Sequence, residues 1–168
     1  EKIIIVSARL DTTSMFDGEG LGAMDSLASF ATLISTAHFL RKIFTDKDYE
    51  KSKMNVLFML FNGESYDYIG SQRLVYDMKK EAFPAPSSHT RPLTLDNVEM
   101  LIDLGALDSL DTLKIYHLTE SSTKAMTFKE SIDVYNTELN LNLTIQNEPT
   151  NNIPPVSAQM FLRENVSF

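Results

Sequence analysis

The sequence predicts an α/β fold in which a mainly parallel sheet is flanked by helices. Residues 2–8, 54–61 and 98–104 are largely apolar and have the length of strands that are buried on both faces. After the first two of these runs, apolar residues recur at helical spacing. Strands that alternate with helices in this way are typical of parallel sheets.

The first helix is predicted over residues 23–44, because apolar residues lie three or four positions apart and the last turn is basic. These apolar residues are Leu27, Phe30, Ala31, Ile34, Ala37, Phe39, Leu40 and Ile43. A loop is expected before it, over residues 11–22. A second helix is predicted over residues 68–81, and it ends before Pro84 and Pro86.

The last third of the chain continues the alternation with weaker patterns. A fourth strand is predicted over residues 113–118, and a third helix over residues 122–139. Residues 147–155 are expected to be irregular. A short helix is predicted over residues 157–164, with Ser157 as its N-cap.

Composition and charge exclude several classes of protein. Hydrophobic residues make up 43% and charged residues 23% of the 168 residues, which excludes a disordered tail and a coiled coil. The net charge of −8 argues against a nucleic-acid partner. No apolar run reaches the roughly 20 residues that cross a bilayer. The chain has no cysteine, so it holds no disulfide and no Cys-type zinc site.

The chain begins directly in an apolar strand, without an initiator Met or a signal peptide. A strand buried on both faces needs a neighbour on each side. We therefore expect residues 1–168 to be the interior part of a single, incomplete domain.

Charged side chains follow the predicted strands at the points where the strands end. The carboxyl ends of parallel strands meet at one edge of a sheet, where ligands usually bind. The residues expected to converge there are Arg9, Asp11, Asp25, Glu64, Asp67 and Asp103. A charged edge of this kind is also typical of a solvated scaffold without a site.

Other kinds of site find little support. Residues 18–23 match the dinucleotide-binding pattern formally, but they begin about ten residues after the strand, whereas that pattern lies in a tight turn. A flexible glycine loop explains them better. His38, His89 and His117 lack metal-ligand spacing, and no Gly-x-Ser-x-Gly elbow is present.

Three motifs at this edge resemble those of the two-zinc aminopeptidases. Residues 63–65 and 69–71, Gly-Glu-Ser and Ile-Gly-Ser, resemble the Gly-Glu-Glu and Gly-Ser signature of that family. Residues 8–11, Ala-Arg-Leu-Asp, resemble Ala-His-x-Asp, and residues 22–25, Gly-Ala-Met-Asp, resemble Gly-Ala-Asp-Asp. The resemblance implies an aminopeptidase-like fold.

The same resemblance assigns roles to individual positions and shows where the pattern is broken. Glu64 matches the general base, Asp25 the bridging zinc ligand and Asp103 another ligand. Arg9 and Ser65 replace two ligands, and arginine cannot lose its proton to bind a metal. We therefore expect no zinc, no other cofactor and no peptidase activity, with Arg9 paired to Asp25, Asp103 or Glu64.

A closer resemblance is to the nicastrin family, the large glycoprotein subunits of γ-secretase. Residues 67–71 read Asp-Tyr-Ile-Gly-Ser, and the flanking residues 8–11, 73–78 and 161–167 also resemble that family. The resemblance implies a non-catalytic ectodomain that recognises and gates substrates. An active two-zinc aminopeptidase is the alternative.

The nicastrin resemblance also implies partners, a location and a binding site. The partners would be the presenilin-containing membrane subunits of γ-secretase and type I membrane substrates with short ectodomains. The location would be the ER and Golgi lumen and the outer face of the plasma membrane or endosome, on a membrane-anchored glycoprotein. Glu64, Asp67 and Tyr68 would meet the substrate's free N-terminus. Alternatively, Glu64 caps the next helix and Tyr68 packs under a loop.

Two N-glycosylation sequons fit an ectodomain. They are Asn142-Leu143-Thr144 and Asn165-Val166-Ser167. We expect glycans at Asn142 and Asn165.

Overall fold

The structure is a computed structural model that describes most of the chain. The described residues are 2–12, 22, 26–52, 54–85, 87, 90–107, 109, 111–118, 122–150 and 153–164. The described residues form two compact units, the first from residues 2–106 and 157–164 and the second from residues 107–156. The prediction of a single domain over residues 1–168 stays a prediction.

The elements confirm the predicted α/β alternation. In chain order they are β1 (Lys2–Arg9), α1 (Ala28–Ile43), α2 (Asp46–Lys51), β2 (Met54–Phe61), α3 (Ile69–Lys79), a 3₁₀ turn (Leu95–Asn97), β3 (Val98–Leu104), β4 (Thr112–Leu118), α4 (Ser122–Glu138), β5 (Thr144–Thr150) and α5 (Ala158–Leu162). Within the described residues, no helix is both long enough and apolar enough to cross a membrane.

The first unit is built on a three-stranded parallel sheet with the order β2-β1-β3. The central strand β1 pairs with β2 from Lys2 opposite Met54 to Arg9 opposite Phe61. It pairs with β3 so that Ser7 lies opposite Asp103. Because all three strands run the same way, their carboxyl ends meet at one edge of the sheet, as the sequence predicts.

One face of this sheet packs against α3 and α5. The side chains of this core are Ile3, Ile5, Phe61, Leu74, Val75, Met78, Val98, Met160 and Phe161. Ile5, Met78 and Phe161 have essentially no exposed surface. Each such side chain contributes roughly 1.5–3 kcal/mol through the hydrophobic effect. This packing fixes both helices beside the edge where the strands end.

The second unit pairs β4 with β5 in parallel, from Thr112 opposite Thr144 to Leu118 opposite Thr150. Helix α4 connects the two strands and contacts both. The inward residues of β4 include His117, which is buried and lies 2.9 Å from the Leu118 carbonyl oxygen through Nδ1. The burial agrees with the expectation of a structural histidine, but Nε2 of His117 has no hydrogen-bond partner among the described residues, so its hydrogen bonding is only half satisfied.

Three details differ from the sequence predictions. Residues 147–150 were expected to be irregular but belong to β5. Their polar side chains do not predict a strand, and the strand forms because their backbone pairs with β4. Helix α2 was not predicted, since its six residues contain no helical apolar pattern. Ser157 precedes α5, but its hydroxyl does not cap that helix.

Candidate functional site

The turn between β2 and α3, residues 62–68, forms the centre of the site. Gly63 has φ of +79°, and the backbone amides of Tyr66 and Ile69 both donate to its carbonyl oxygen, at 3.1 and 3.2 Å. Asp67 and Tyr68 follow with φ of 60° and 57°. Left-handed backbone at a non-glycine residue costs of order 1 kcal/mol and persists where surrounding contacts impose it. Contacts from both sides hold this turn.

Glu64 holds the turn from inside the protein. Its residue is 5% exposed, and its Oε1 accepts a hydrogen bond from the Ser71 amide at 2.8 Å. Its Oε2 accepts from the hydroxyls of Ser71 at 2.7 Å and Ser157 at 2.6 Å. Since Ser71 lies in the first turn of α3, Glu64 satisfies one of the free amides at the start of that helix.

Gly70 permits this arrangement because no side chain would fit there. A Cβ atom at position 70 would lie 2.7 Å from the Asn62 carbonyl oxygen and 3.0 Å from Glu64 Oε1. The start of α3 therefore lies directly against the turn and the Glu64 carboxylate. The Gly-Ser pair of the motif thus has a clear physical role on the Glu64 side of the turn.

Asp11 holds the turn from the other side. Its carboxylate accepts hydrogen bonds from the backbone amides of Glu64 at 3.0 Å and Ser65 at 2.8 Å. Partial burial tends to raise the pKa of Asp11, but hydrogen bonds from Ser65 and Glu64 outweigh it and lower that pKa from its ordinary value of 3.8. The charged form of Asp11 is therefore part of the folded turn.

Asp103 links the sheet to α5. Its Oδ1 accepts from the Ser7 hydroxyl at 2.8 Å, and its Oδ2 accepts from the Ala158 amide at 3.3 Å. Burial raises the pKa of Asp103, against the lowering effect of the hydrogen bonds from Ser7 and Ala158. Asp103, and not the Ser157 hydroxyl, accepts a backbone hydrogen bond at the start of α5.

Arg9 does not make the predicted ion pairs with Asp103 or Glu64 in the part of the chain that the structure describes. Its Nε donates to the Asp11 carbonyl oxygen at 3.0 Å, and its Nη2 donates to the Ser65 hydroxyl. The physical reason is that serine hydroxyls and the Ala158 amide already satisfy the two carboxylates. A pairing of Arg9 with Asp25 lies outside the described residues, as does Asp25 itself.

The outer surface of the turn is exposed and carries the remaining predicted site residues. Asp67 is exposed, Tyr68 is half-buried against the core, and the neighbouring Tyr66 is 65% exposed. The structure therefore separates the predicted substrate-binding residues. Glu64 lies inside the protein, and Asp67 and part of Tyr68 face outward.

The positions expected to bind zinc do not fit a two-zinc centre. Both carboxylate oxygens of Glu64, the matched general base, and of Asp103, a matched ligand, accept hydrogen bonds from serine hydroxyls and backbone amides. Arg9 adds a fixed positive charge that repels a dication. No group of three or more potential ligands lies close enough to hold a metal ion within the described residues. The predicted absence of zinc stays a prediction.

Sequence reasoning missed three serines that complete the site. Ser7, Ser71 and Ser157 are all buried, and each donates its hydroxyl hydrogen to a carboxylate. Ser71 could have been found from its place in the Gly-Ser motif, and Ser7 from its place two residues before Arg9. No local signal marks Ser157 as a partner of Glu64.

The structure describes one of the two predicted glycosylation sites. Asn142 lies in the second unit, in the exposed segment between α4 and β5, with a φ of 57°. Asn165 lies outside the described residues. Both assignments stay predictions.

The parallel sheet, its flanking helices and the acid-lined edge define a protein with an aminopeptidase-like fold, and comparisons with known proteins agree. The chain matches the crystal structure of the γ-secretase component nicastrin with a TM-score of 0.72 at 22% identity, over 100% of this chain and 32% of that chain. It matches Macrostomum lignano glutaminyl cyclase with a TM-score of 0.66 at 16% identity, over 97% of this chain and 54% of that chain. The chain belongs to the nicastrin family, since the family model described as the nicastrin large lobe matches residues 2–168.

Curated relatives extend this similarity over the whole chain. Nicastrin of Homo sapiens is 31% identical over 99% of this chain, and nicastrin of Mus musculus is 32% identical over the same share. Nicastrin of Caenorhabditis elegans is 27% identical over 68% of this chain. The chain spans 23% of the length of the human and mouse proteins.

Proposed function

We propose that this chain is a non-catalytic, peptidase-like part of a γ-secretase component, and that it recognises and gates substrates instead of cleaving them. Membership of the nicastrin family supports the assignment to that complex. The non-catalytic assignment rests on one observation: the acids at the positions of the peptidase base and ligand are hydrogen-bonded within the protein. Glu64 and Asp103 each accept hydrogen bonds from a buried serine, and Arg9 lies where a histidine ligand is expected.

Aminopeptidase chemistry needs a free carboxylate near a metal-bound water to act as general base. Glu64 is the residue at that position, and both of its oxygens accept hydrogen bonds from within the protein. An active site would require Glu64 to exchange these partners for water and metal. The alternative of an active two-zinc aminopeptidase is therefore the less favoured function.

Metal content and peptidase activity test this assignment together. The full-length protein, purified in its complex after addition of zinc, is expected to carry much less than one zinc per chain and to leave chromogenic aminoacyl substrates intact. An active two-zinc aminopeptidase treated in parallel is the positive control. Near-stoichiometric zinc, or turnover that a chelator abolishes, would contradict the proposal.

We propose that Asp67 and Tyr68 meet the free amino group of the substrate, and that Glu64 positions the turn that carries them. Asp67 offers an exposed carboxylate to an ammonium group, and Tyr68 offers an aromatic ring beside it. Glu64 would have to give up three hydrogen bonds to bind the amine itself. In this proposal Glu64 has the structural role considered above: it caps α3 and thereby supports the residues that bind the amine.

Matched variants distinguish a residue that binds the substrate from a residue that supports the turn. Asp67→Asn keeps a side chain that tolerates left-handed backbone, and it is expected to weaken capture of a free-amine substrate about threefold without lowering Tm. Glu64→Ala is expected to lower Tm and capture together. Asp111→Asn, at an exposed carboxylate in the second unit, is the control. Equal capture by wild type and Asp67→Asn would remove Asp67 from the binding site.

The remaining assignments follow from the family and from the sequons. We propose that the chain is part of a membrane-anchored ectodomain in the ER and Golgi lumen and at the cell surface. Its partners would be presenilin-containing membrane subunits and type I membrane substrates with short ectodomains. Glycans at Asn142 and Asn165 would fit this location.

A further inference from the structure

A groove of about 380 Å³ lies between α3 and α5, outside the turn described above. Its floor is apolar, because Val75 and Met160 are both buried in the core. Tyr76 forms part of its wall and is 53% exposed. The volume lies within the range of pockets that hold small ligands or a few side chains. We refer to this feature as the α3–α5 groove.

The α3–α5 groove is positively charged although the chain as a whole is strongly acidic. Lys79, Lys80 and Arg163 line it together with one carboxylate, Glu164, so the lining charge is +2 against −8 for the chain. Lys79 pairs with Glu164 at 2.7 Å. Among the described residues, Lys80 and Arg163 have no carboxylate partner, and both are exposed. Two cations are therefore available to an anionic ligand.

The groove continues along α3 from the proposed amine-binding turn. The Gln72 amide donates to the Tyr68 carbonyl oxygen at 2.8 Å, so Gln72 lies one helical turn beyond Tyr68, and Tyr76 lies one turn further. Burial raises the pKa of Tyr68, and the positive charge of Arg163 is the largest opposing influence. Arg163 itself lines the groove.

We propose that the α3–α5 groove binds an acidic peptide segment that directly follows the free amino group of a substrate. The groove would thereby favour substrates with Asp or Glu near their N-terminus. This inference rests on the proposed function, which places the amino group at Asp67 and Tyr68. An apolar substrate side chain would cover Val75 and Met160, and substrate carboxylates would meet Lys80 and Arg163.

The dimensions of the groove fit a short extended segment. From Tyr68 to Lys80 the chain rises roughly 18 Å along the α3 direction. An extended peptide covers that distance in about five or six residues. The carboxylates that the groove selects should therefore lie within roughly the first six positions of the substrate.

A peptide segment fits this groove better than an anionic membrane surface does. The cations lie along a channel between two helices, where a narrow chain can enter. A flat anionic surface would also face the remaining negative charge of the chain and be repelled. We therefore assign the groove to a peptide and make lipid binding an outcome of the test.

Four peptides with a C-terminal fluorophore test the proposal by anisotropy against the full-length protein in its complex. One has a free amine and acidic residues at positions 2–5, the second replaces those acids by Asn and Gln, and the other two are their N-acetylated forms. We expect the acids to strengthen binding of the free-amine peptide about tenfold at low salt, and added salt to reduce that difference.

Charge-removing variants place the effect in the groove. Lys80→Gln and Arg163→Gln are each expected to weaken binding of the acidic peptide about threefold and to leave binding of the neutral peptide unchanged. Lys47→Gln, at an exposed lysine of α2, is the matched control and should change neither. If either Lys80→Gln or Arg163→Gln lowers Tm, the result is judged from the other variant, so that a folding defect does not decide it.

The outcomes separate this inference from the proposed function. Equal binding of the acidic and neutral free-amine peptides, with loss on acetylation, would overturn the groove and leave the amine site standing. A preference for acids without any effect of acetylation would overturn the amine site. Phosphatidylserine vesicles are added as a competitor of the acidic peptide on the wild type. If they displace the peptide, and if Lys80→Gln and Arg163→Gln both abolish that displacement, the peptide assignment would be overturned in favour of a lipid.

Discussion

The Ser157 hydroxyl donates a hydrogen bond to Glu64 Oε2 at 2.6 Å, across 93 positions of sequence. This bond joins the residue that precedes α5 to the turn between β2 and α3. A second link between distant segments lies beside it, because Asp103 accepts a hydrogen bond from the Ala158 amide. The shape of the turn that carries Asp67 and Tyr68 therefore depends on a segment near the other end of the chain.

Removal of the Ser157 hydroxyl should weaken this connection. Ser157→Ala leaves Glu64 Oε2 with a single hydroxyl partner in a buried environment, which we expect to cost about 2 kcal/mol. For a domain of this size the fall in Tm would be roughly 4–8 °C, and we expect a smaller fall in the full-length protein. Thermal unfolding of the full-length protein measures it.

Ser131→Ala is the control for that measurement, because Ser131 is exposed and its hydroxyl donates to the Thr127 carbonyl oxygen of its own helix. Its Tm should change little. Equal Tm values for Ser157→Ala and wild type would mean that the Ser157–Glu64 bond contributes nothing measurable to stability.

Gly70 should tolerate no side chain. Gly70→Ala would bring a Cβ atom within 2.7 Å of the Asn62 carbonyl oxygen, so the start of α3 must move away from the turn. We expect a destabilisation of about 2–3 kcal/mol and weaker substrate capture. Gly105→Ala is a matched control, because a Cβ atom at position 105 has no neighbour within 4 Å. Similar Tm values for the two variants would contradict the close packing inferred at Gly70.

The parts of the fold that the sequence predicts well are those that depend on local hydrophobicity. Strands β2 and β3 match their predicted bounds, because largely apolar runs end there, at Asn62 and at Gly105. Strand β5 was not predicted, because residues 146–149 are Gln, Asn, Glu and Pro, and their pairing comes from β4. Helix α2 has no apolar periodicity to detect.

The candidate site shows the same division between local and distant information. The turn, its acids and the Gly-Ser pair follow from a motif of nine residues. The structure places Glu64 against Gly70 and Ser71, whereas Asp67 faces outward. The partners of those acids lie far away in sequence, such as Ser7 for Asp103 and Ser157 for Glu64. Among the described residues Arg9 pairs with neither Asp103 nor Glu64, because neutral donors that the charge pattern does not show occupy those carboxylates. The third predicted partner, Asp25, lies outside the described residues.

The glycan predicted at Asn142 can be tested by mass. The residue is exposed between α4 and β5, and nothing in the described structure covers it. Asn142→Gln is expected to lower the apparent mass of the secreted-pathway protein by about one N-glycan, and enzymatic deglycosylation should abolish the difference. Asn140→Gln, at a neighbouring asparagine outside any sequon, is the control. An unchanged mass for Asn142→Gln would show that the sequon is unused.

Asp11 should stabilise the protein above acidic pH. Its folded-state pKa lies below the ordinary value of 3.8, so the folded state holds its proton less tightly than the unfolded state. The stabilisation is present above pH 3.8 and is lost as the pH falls through the folded-state pKa. Asp11→Asn should therefore lower Tm clearly at about pH 7 and less in more acidic buffer. A difference in Tm that grows towards low pH would contradict this role.

Asp103 should show the opposite dependence. Burial raises its pKa above 3.8, so the folded state holds the proton more tightly than the unfolded state. Its contribution to stability is fully present below pH 3.8 and is lost as the pH rises through the folded-state pKa. Asp103→Asn carries no titrating group, so this part of the pH dependence should disappear from its Tm profile.

The wild type should accordingly lose stability relative to Asp103→Asn as the pH rises above 3.8. It should gain stability relative to Asp11→Asn as the pH rises towards 3.8, with little further gain above that pH. Measuring Tm for both variants in the same buffers provides an internal control, because global charge effects act on both. Profiles of the same sign for the two variants would show that burial does not govern Asp103, and that the Ser7 and Ala158 hydrogen bonds dominate its ionisation instead.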